Sequence, residues 1–374
     1  MKKLLKYSTP FLLSLVLLGC KKDYLETSPS TQAPTELVFA TTDGAYVALD
    51  GVYRAHFTSL TNHGNFGQKS YDLVSDLMGN DMVVHTAGYG WFNGEYRYTE
   101  QQLATDNSRS ERTWYYYYRT INNANQMIAN IENAAGPQED RDNIKGQALA
   151  LRAYSYFNLI NFFQHTYKGN ETKPGVPLYL EPTMEGKPRG TVQQVYDQII
   201  ADLTEAETLL TGKTRRHISN INVNVAQGIR ARVALQMEDY ATAAAYANKA
   251  RQGYSLMSRA QYTQGFSSKS NPEWMWGMEV NTEQATIYAS FFSHIDETTG
   301  GYAALGTQKK ITKALYDQIP EGDVRKDVFQ SATGATSRNP TYNQRKFKVP
   351  TAGSWAADYL FMRVAEMYLI EAEA

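Results

Sequence analysis

The chain has 374 residues, of which 42% are hydrophobic and 20% are charged, and its formal net charge is −1. This composition is typical of a globular protein with a large core, and without a basic excess it gives no support to general nucleic-acid binding. The single cysteine, Cys20, excludes an intramolecular disulfide framework and a zinc site built from several thiolates.

The amino-terminal residues have the pattern of a secretory signal. Lysines precede an apolar run over residues 11–18, which is too short to cross a bilayer as a stable helix. The run ends in Gly19 and Cys20 and is similar to a bacterial lipobox. That similarity implies cleavage after Gly19, a thioether-linked diacylglycerol on Cys20, and acylation of the new amino terminus. Residues 20–35 are expected to form a flexible tether. The alternative is an ordinary signal peptide with an incidental cysteine.

The spacing of apolar residues predicts that helices dominate the rest of the chain. Thr191 and Gln194 have the spacing of a capping box at a helix start. The last long segment contains two helices that meet at Glu238 and Asp239, and its small residues, with Tyr240, line one face. This segment is similar to a tetratricopeptide helix pair, although no regular repeat runs through the chain. The predicted helical segments are 43–57, 111–132, 144–164, 191–210 and 224–253.

Strand signals are few, and two long loops separate the helical segments. Apolar residues alternate over 176–180 and over 274–280, which predicts short hairpins beside the helical body. Irregular loops are predicted at 79–107 and 281–308, and loops of that length usually have a function. From Asp358 onward the chain is expected to be helical, with no stop signal. The predicted fold class is mainly α, with tetratricopeptide-like helix pairs, long irregular loops and a few short β-hairpins.

Several segments, in the order in which they occur, resemble the SusD/RagB-like nutrient-binding lipoproteins of the Bacteroidota outer membrane. One of them carries the signature Arg-Ala-Tyr-x-Tyr-Phe, here Arg152 to Phe157. Another is the lipobox followed by "KKDYLETSPS". The remaining similar segments are "TWYYYYRTINNANQMIANI" (113–131), "GVPLYLEP" (175–182), the helix at 191–210, and "DYLFMRVAEMYLIEAEA" (358–374).

The resemblance implies a tetratricopeptide-containing α-fold, anchored by lipid at the cell surface on the outer membrane. It implies a protein that caps a SusC-like TonB-dependent porin, captures oligosaccharides before import, and has no enzymatic activity. Some members of the family capture peptides instead. The expected organisation is a signal peptide (1–19), a lipidated tether (20–35) and a single α-rich domain (36–374). Because the family's late helix is followed by a further helical segment, this domain is expected to be truncated at its carboxyl terminus.

Candidate ligand residues lie in the two long loops and, for Asp76, just upstream of the first loop. Sugar rings present flat C–H faces, which tyrosine and tryptophan rings can cover while polar side chains bind the hydroxyl groups. The first loop contains "HTAGYGWFNGEYRYTE", where aromatic and polar residues alternate with glycines. The alternative is that some of these aromatics only fasten the loop to the body. The candidates for ligand binding are Trp91, Tyr89, Tyr96, Asn93, Asp76, Asp81 and, in the second loop, Tyr288.

Catalytic and metal-binding signatures are not found in the sequence, so no cofactor and no metal are expected. The six histidines are scattered, without the spacing of a helical zinc site. A glycosidase is defined by the spatial separation of two carboxylates, so a lipid-anchored glycoside hydrolase stays open as an alternative. A helical-repeat adaptor that binds only protein is a third hypothesis. Asp323 with Arg325, and Arg363 with Glu366, are interpreted as structural ion pairs.

Overall fold

The computed structural model describes residues 34–59, 62–100, 103 and 108–374. The predicted signal peptide, the lipidation site Cys20 and nearly all of the tether lie outside the described residues. The helices are α1 (Thr35–Val38), α2 (Thr42–Ala55), α3 (Gln68–Met78), α4 (Asn93–Tyr96), α5 (Arg109–Asn130), α6 (Gln138–Phe163), α7 (Val192–Leu210), α8 (Val223–Gln236), α9 (Tyr240–Ala250), α10 (Arg259–Tyr262), α11 (Phe291–Ile295), α12 (Lys313–Gln318) and α13 (Val364–Glu373), with 3₁₀ turns at Ile131–Asn133 and Lys326–Val328.

The long helices form one stacked array. Each of α5 to α8 packs against the next helix in the chain, and α13 packs against α9 and α8. The predicted capping box is present, since Thr191 and Gln194 each bond the other's backbone N–H at the start of α7. The helix α6 begins at Gln138, earlier than predicted, with Glu139 and Asp140 in its first turn where negative charge favours the helix. The predicted fold class is confirmed.

The helix pair α8–α9 has the close packing that its small residues predict. Asp239 accepts a hydrogen bond from the backbone N–H of Thr242 and so caps α9. Ala243, Ala247 and Ala250 are completely buried on the face of α9 that meets the array. Tyr240 was expected on the same face, but this prediction is wrong, because the side chain is 45% exposed at the first turn of the helix.

The strands form two-stranded antiparallel sheets, and two of these sheets join distant parts of the chain. Their pairings are β1 (Met82–Val84) with β5 (Lys309–Ile311), β2 (Pro174–Pro177) with β3 (Arg189–Thr191), and β4 (Trp274–Met278) with β6 (Tyr359–Arg363). The strand predicted at 274–280 is therefore present, but it pairs with β6 and not with a neighbouring segment. The prediction of helix from Asp358 is wrong for β6, whose first four residues are buried against β4.

Arg152, from the family-like signature, binds three elements of the array together. Its guanidinium donates to both carboxylate oxygens of Asp202 on α7, at 2.8 and 2.7 Å, and to Asn125 Oδ1 on α5 at 2.8 Å. It also donates to the backbone oxygen of Leu180 at 3.2 Å. Arg152 is 5% exposed and Asp202 2%. The signature arginine is therefore a structural residue.

The other expected ion pairs are also structural, but one of them has different partners. Arg325 and Asp323 form the expected pair at 2.6 Å on the surface. Arg363 pairs with Glu273 beside β4 at 2.9 Å, and Glu366 pairs with Arg232 on α8 at 2.6 Å. Arg363 is not in the helix, because it is the last residue of β6, and this places the two side chains on different neighbours.

Candidate functional site

The two long loops meet at a cluster of aromatic rings. Tyr302, in the second loop, lies at its centre. The ring centroid of Tyr302 is 5.3 Å from that of Tyr89, 6.2 Å from that of Trp91 and 5.5 Å from that of Tyr288. Three of the residues predicted from sequence, two from one loop and one from the other, therefore lie together in space.

Two further rings complete the cluster. The imidazole of His63 lies parallel to the ring of Tyr288, with centroids 6.1 Å apart, and its Nδ1 is 2.6 Å from the hydroxyl of Tyr302. The indole of Trp355 contacts Tyr288 at 5.4 Å. Sequence reasoning missed His63, Tyr302 and Trp355. We call the six residues His63, Tyr89, Trp91, Tyr288, Tyr302 and Trp355 the aromatic platform.

The aromatic platform has a buried base and an exposed rim. Tyr302 is 6% exposed, whereas Tyr288 is 37% and Tyr89 68% exposed. Trp91 and Trp355 are half-buried. Rings that are fixed at one edge and open at a face cover apolar C–H surfaces while their polar tips stay hydrated. Five of the six platform residues are tyrosine or tryptophan, and the sixth is the exposed His63. The geometry therefore suits the flat C–H face of a sugar ring.

A buried layer beneath the aromatic platform holds it in place. His294 stacks on Tyr302 at 4.9 Å, and its Nε2–H donates to the backbone oxygen of His63 at 2.8 Å. Burial, together with the charge of Lys309, keeps the pKa of His294 well below its ordinary value, so the ring is neutral. Phe92, 2% exposed, packs edge-on against His294 at 4.9 Å. His294 and Phe92 are thus anchors of the loops.

The first loop is also fastened by a buried ion pair. Glu95 accepts from the guanidinium of Arg109 at 2.6 Å, and Arg109 donates to the backbone oxygen of Gly64 at 3.1 Å. Both side chains are 5% exposed. Gly64 precedes the segment that carries Phe66, whose ring packs against Phe92 at 5.9 Å. Phe92 thus has the role that the sequence alternative gives to some of the loop aromatics, which is to fasten the loop to the body.

Bulky residues with left-handed backbone conformations lie in both loops. Phe92 and Tyr288 each have a φ of 64°, and Tyr98 has a φ of 57°. Such conformations are unfavourable for residues with a side chain and are found most often at binding and catalytic sites. At Tyr288 this backbone turns the ring onto His63 and Trp355. The packing of the two loops must provide the free energy that holds it there.

Two of the predicted ligand residues lie close to the aromatic platform in sequence but belong to the body of the loop. Asn93 begins the short helix α4 and Tyr96 ends it. Tyr96 is half-buried and packs against the hydrophobic core. Both residues support the position of the loop, and their contact with a ligand stays a prediction.

Asp76 and Asp81, also predicted to bind ligand, line a different cleft of about 220 Å³. Lys346 stands in the same cleft, whose other walls are mostly apolar. Burial among protein atoms and the charge of Asp72 raise the pKa of Asp76 to about 6, although its side chain still reaches solvent. Burial and the charge of Arg363 lower the pKa of Lys346 to about 8. The apolar lining is Leu73, Met82, Phe291, Ile295, Ile311, Leu315, Phe329 and Phe347.

The described part of the chain has neither a metal-binding cluster of side chains nor a membrane-spanning helix. Within the described ranges, no group of three or more His, Cys, Asp or Glu side chains is placed to hold a metal ion. Among the helices that the structure describes, none combines the length and the apolar character needed to span a bilayer.

The stacked helix pairs and the aromatic platform on two long loops define a class of helical-repeat proteins with a ring-lined surface. Comparison with known families agrees with this class. Residues 23–235, more than half of the chain, match the SusD-like family model described as starch-binding and associating with the outer membrane. The chain belongs to this SusD-like family, which confirms the resemblance seen in the sequence.

Individual relatives give the same result. Two SusD-like proteins of Formosa agariphila are each 26% identical to this chain, over 229 and 210 residues, or 56% and 55% of it. These matches cover 39% and 38% of the relatives, so the chain spans about two fifths of their length.

Solved structures extend the likeness over most of the chain. A SusD-like carbohydrate-binding protein from Bacteroides vulgatus has a TM-score of 0.78 and 30% identity, covering 90% of this chain and 71% of that one. A SusD superfamily protein from Bacteroides thetaiotaomicron has a TM-score of 0.76 and 23% identity, covering 89% and 75%. A laminarin-binding SusD-like protein, with a TM-score of 0.68, 20% identity and coverage of 90% and 80%, shares the fold.

Proposed function

We propose that this chain is a surface lipoprotein that captures oligosaccharides on the aromatic platform and delivers them to a SusC-like TonB-dependent porin. The observation that carries the proposal is the convergence of Tyr89, Trp91 and Tyr288 on Tyr302, which places partly exposed rings of both long loops on one surface. The family's starch-binding description and the carbohydrate-binding relative from Bacteroides vulgatus support a glycan as the ligand.

The platform is suited to binding because its rings are already ordered. His63 is held between the hydroxyl of Tyr302 and the imidazole of His294, and Tyr288 is stacked on His63. A ligand that lies on these rings therefore displaces water without having to immobilise the side chains, and this reduces the entropic cost of binding. The removal of one platform ring by substitution should weaken binding by about 1–2 kcal/mol, which corresponds to roughly tenfold in Kd.

The test is binding of the full chain, in detergent, to a panel of glycans. Affinity electrophoresis in gels that contain starch, laminarin, xylan or mannan identifies the ligand, and calorimetry measures its Kd. Trp91→Ala and Tyr288→Ala are expected to weaken binding by about tenfold or more. Tyr240→Ala, which removes an exposed tyrosine far from the loops in sequence, is the matched control and should bind like the wild type. Equal binding by all the variants, or no binding to any glycan, would contradict the proposal.

The proposed protein binds its ligand without turning it over. Glu95 and Glu100, the two carboxylates within the first loop's aromatic stretch, pair with Arg109 and Arg112, and Asp76 and Asp81 line the separate cleft. A pair of free carboxylates flanking a glycosidic bond is needed for hydrolysis. Release of reducing ends from the bound glycan, abolished by a single Asp or Glu substitution, would instead favour the glycoside hydrolase.

The proposed location and partner are tested separately from the ligand. Cys20 is proposed to carry the lipid, so metabolic palmitate labelling should be lost in Cys20→Ala. The porin partner should co-purify with the full chain from outer membranes solubilised in mild detergent. An unlabelled and freely secreted product would contradict both the proposed lipid anchor and the proposed location.

One observation favours the alternative of peptide capture. The cleft beside Asp76 and Asp81 is mainly apolar and has carboxylates at its mouth, an arrangement that suits an apolar side chain next to a basic group. A library of basic, hydrophobic peptides tested against the wild type and Asp81→Asn would detect such binding. Peptide binding that depends on Asp81 and not on Trp91 would assign the cleft, rather than the aromatic platform, to nutrient capture.

A further inference from the structure

A second ring-lined pocket lies between helix α5 and the segment that follows β2. Its volume is about 340 Å³, which is within the range of small-ligand sites. Trp114 and Tyr118 form the wall on α5, and Tyr179 forms the facing wall. No residue of the aromatic platform lines it.

The rings of this pocket are fixed by bonds to the protein backbone. The hydroxyl of Tyr118 donates to the oxygen of Pro177 at 2.8 Å, and the hydroxyl of Tyr179 accepts from the backbone N–H of Lys187 at 3.1 Å. The two rings are perpendicular, with centroids 5.6 Å apart. Trp114 packs on Tyr118 at 4.8 Å. The three rings thus form a rigid concave corner.

The facing wall is held by buried side chains of the helical array. Asn125 donates to the oxygens of Tyr179 and Glu181, at 2.9 and 3.3 Å, and Arg152 donates to that of Leu180 at 3.2 Å. Tyr156 hydrogen-bonds both the N–H and the oxygen of Tyr179. The backbone of Tyr179, Leu180 and Glu181 is therefore held by side chains of the helical array. The pocket is pre-formed, and this lowers the entropic cost of ligand binding.

Polar and apolar groups at the mouth are open to solvent. Asn122 on α5 and Glu185 on the opposite wall line the pocket, and both are exposed. Met184 is fully exposed beside them, and Tyr115, on the same face of α5 as Asn122, is 60% exposed. An amide and a carboxylate beside fixed rings offer donors and acceptors to hydroxyl groups.

The charges at the pocket indicate a neutral ligand. Lys187 pairs with Glu181 at 3.6 Å, and Arg189 lies over Trp114 at 5.4 Å while donating to the oxygen of Gly175. Lys187 and Arg189 thus already have partners in the protein, namely the carboxylate of Glu181 and the ring of Trp114. Glu185 adds a further negative charge to the pocket. An anionic sugar would be repelled by Glu185, and a neutral one would not.

We propose that this pocket is a second carbohydrate site, which binds one neutral sugar residue independently of the aromatic platform. The inference rests on the proposed function only in that the ligand is a glycan. A chain with two separate sites can hold a long glycan at two points, and the effective concentration of the second contact then increases the total affinity.

The experiment uses the methyl group of Met184 as a local reporter. The full chain, labelled with ¹³C-methyl methionine, is titrated with maltoheptaose, laminarihexaose, xylohexaose and mannohexaose, and the Met184 signal is assigned with Met184→Leu. At least one of these probes should shift the signal in the wild type. The same shift should persist in the double variant Trp91→Ala/Tyr288→Ala, because the pocket shares no residue with the aromatic platform.

The variant Asn122→Ala/Glu185→Gln should weaken the Met184 response by about tenfold or more, with an unchanged thermal midpoint since both side chains are exposed. No shift with any probe, or a shift that disappears in the platform variant, would overturn the second site. A Met184 signal that responds only to the co-purified outer-membrane partner would identify a protein interface and overturn it as well. The migration of the platform variants in glycan-containing gels tests the proposed function separately from the second site.

Discussion

The strongest test of the structural account is the replacement of Arg152 by methionine. Arg152→Met keeps most of the side-chain volume but removes the charge and the hydrogen bonds to Asp202, Asn125 and Leu180. Asp202, 2% exposed, is then left without its cation. Removing one partner of a buried ion pair typically costs about 3–5 kcal/mol, so we expect the free energy of unfolding to fall by about 4 kcal/mol.

The loss should depend on pH, with a sign set by Asp202. Burial already raises the pKa of this carboxyl although Arg152 opposes the shift, and without Arg152 the pKa must rise further. A carboxyl whose pKa is higher in the folded than in the unfolded protein binds more protons when folded, so its contribution to stability falls as the pH rises. The destabilisation by Arg152→Met should therefore be larger near about pH 8 than near about pH 5.

Urea titrations of the full chain at both pH values measure this effect. Arg325→Met is the matched control, because it removes an arginine from the exposed pair with Asp323 and should change stability little. Should Arg152→Met fail to fold, the double variant Arg152→Met/Asp202→Leu removes both charges and should recover most of the loss. A loss that is the same at both pH values, or no larger than that of Arg325→Met, would refute the assigned role of Arg152.

Two further predictions concern stability. Lys309, which is completely buried, has a pKa lowered by burial to about 7. This pKa shift means that burial of the charged Lys309 costs roughly 5 kcal/mol of stability. The substitution also removes the hydrogen bond to the backbone oxygen of Thr307, which contributes about 2 kcal/mol in the opposite direction. Lys309→Met should thus raise the free energy of unfolding by about 3 kcal/mol at or below neutral pH, and urea titrations should show this gain decreasing as the pH rises from about 7 to 10; a constant gain would contradict it. Gly67→Ala should be strongly destabilising, because φ is 77° and the new Cβ would clash with the backbone oxygen of His56. Gly51→Ala, inside α2 with open space around it, should instead stabilise by about 0.5–1 kcal/mol, and thermal melts that rank the two glycines equally would be evidence against this reasoning.

The features of the fold that could be predicted are those with a local signal in the sequence. The capping box at Thr191 and the break before Asp239 depend on residues a few positions apart, and both are present. The strand β6 has no such signal, because its residues become a strand through pairing with β4, far away in the chain. Buried aromatic and aliphatic residues there fit a helix as well as a strand until the partner is known.

The residues of the candidate site also divide into those with a local signal in the sequence and those without one. Tyr89 and Trp91 could be proposed because aromatics and glycines are concentrated around them, and Tyr288 lies in a second long loop. His63 lies outside both predicted loops, and Tyr302 stands alone between Gly301 and Ala303 in the second loop. Only the folding of the two loops over His294 brings these two residues together. Asp76 and Asp81 are ligand candidates from their position next to the first loop, whereas the structure places them in a cleft that no residue of the aromatic platform lines.

The pairing of β4 with β6 brings the two ends of residues 279–358 together. The two strands close this segment at its base, and it contains Tyr288, Tyr302 and Trp355. A relative's segment grafted between the same strands must keep the pairing of β5 with β1 and the hydrogen bond from His294 to the backbone oxygen of His63. Half of the aromatic platform would then change while the helical array is kept, which provides a route to transfer sugar preference from one member of the family to another.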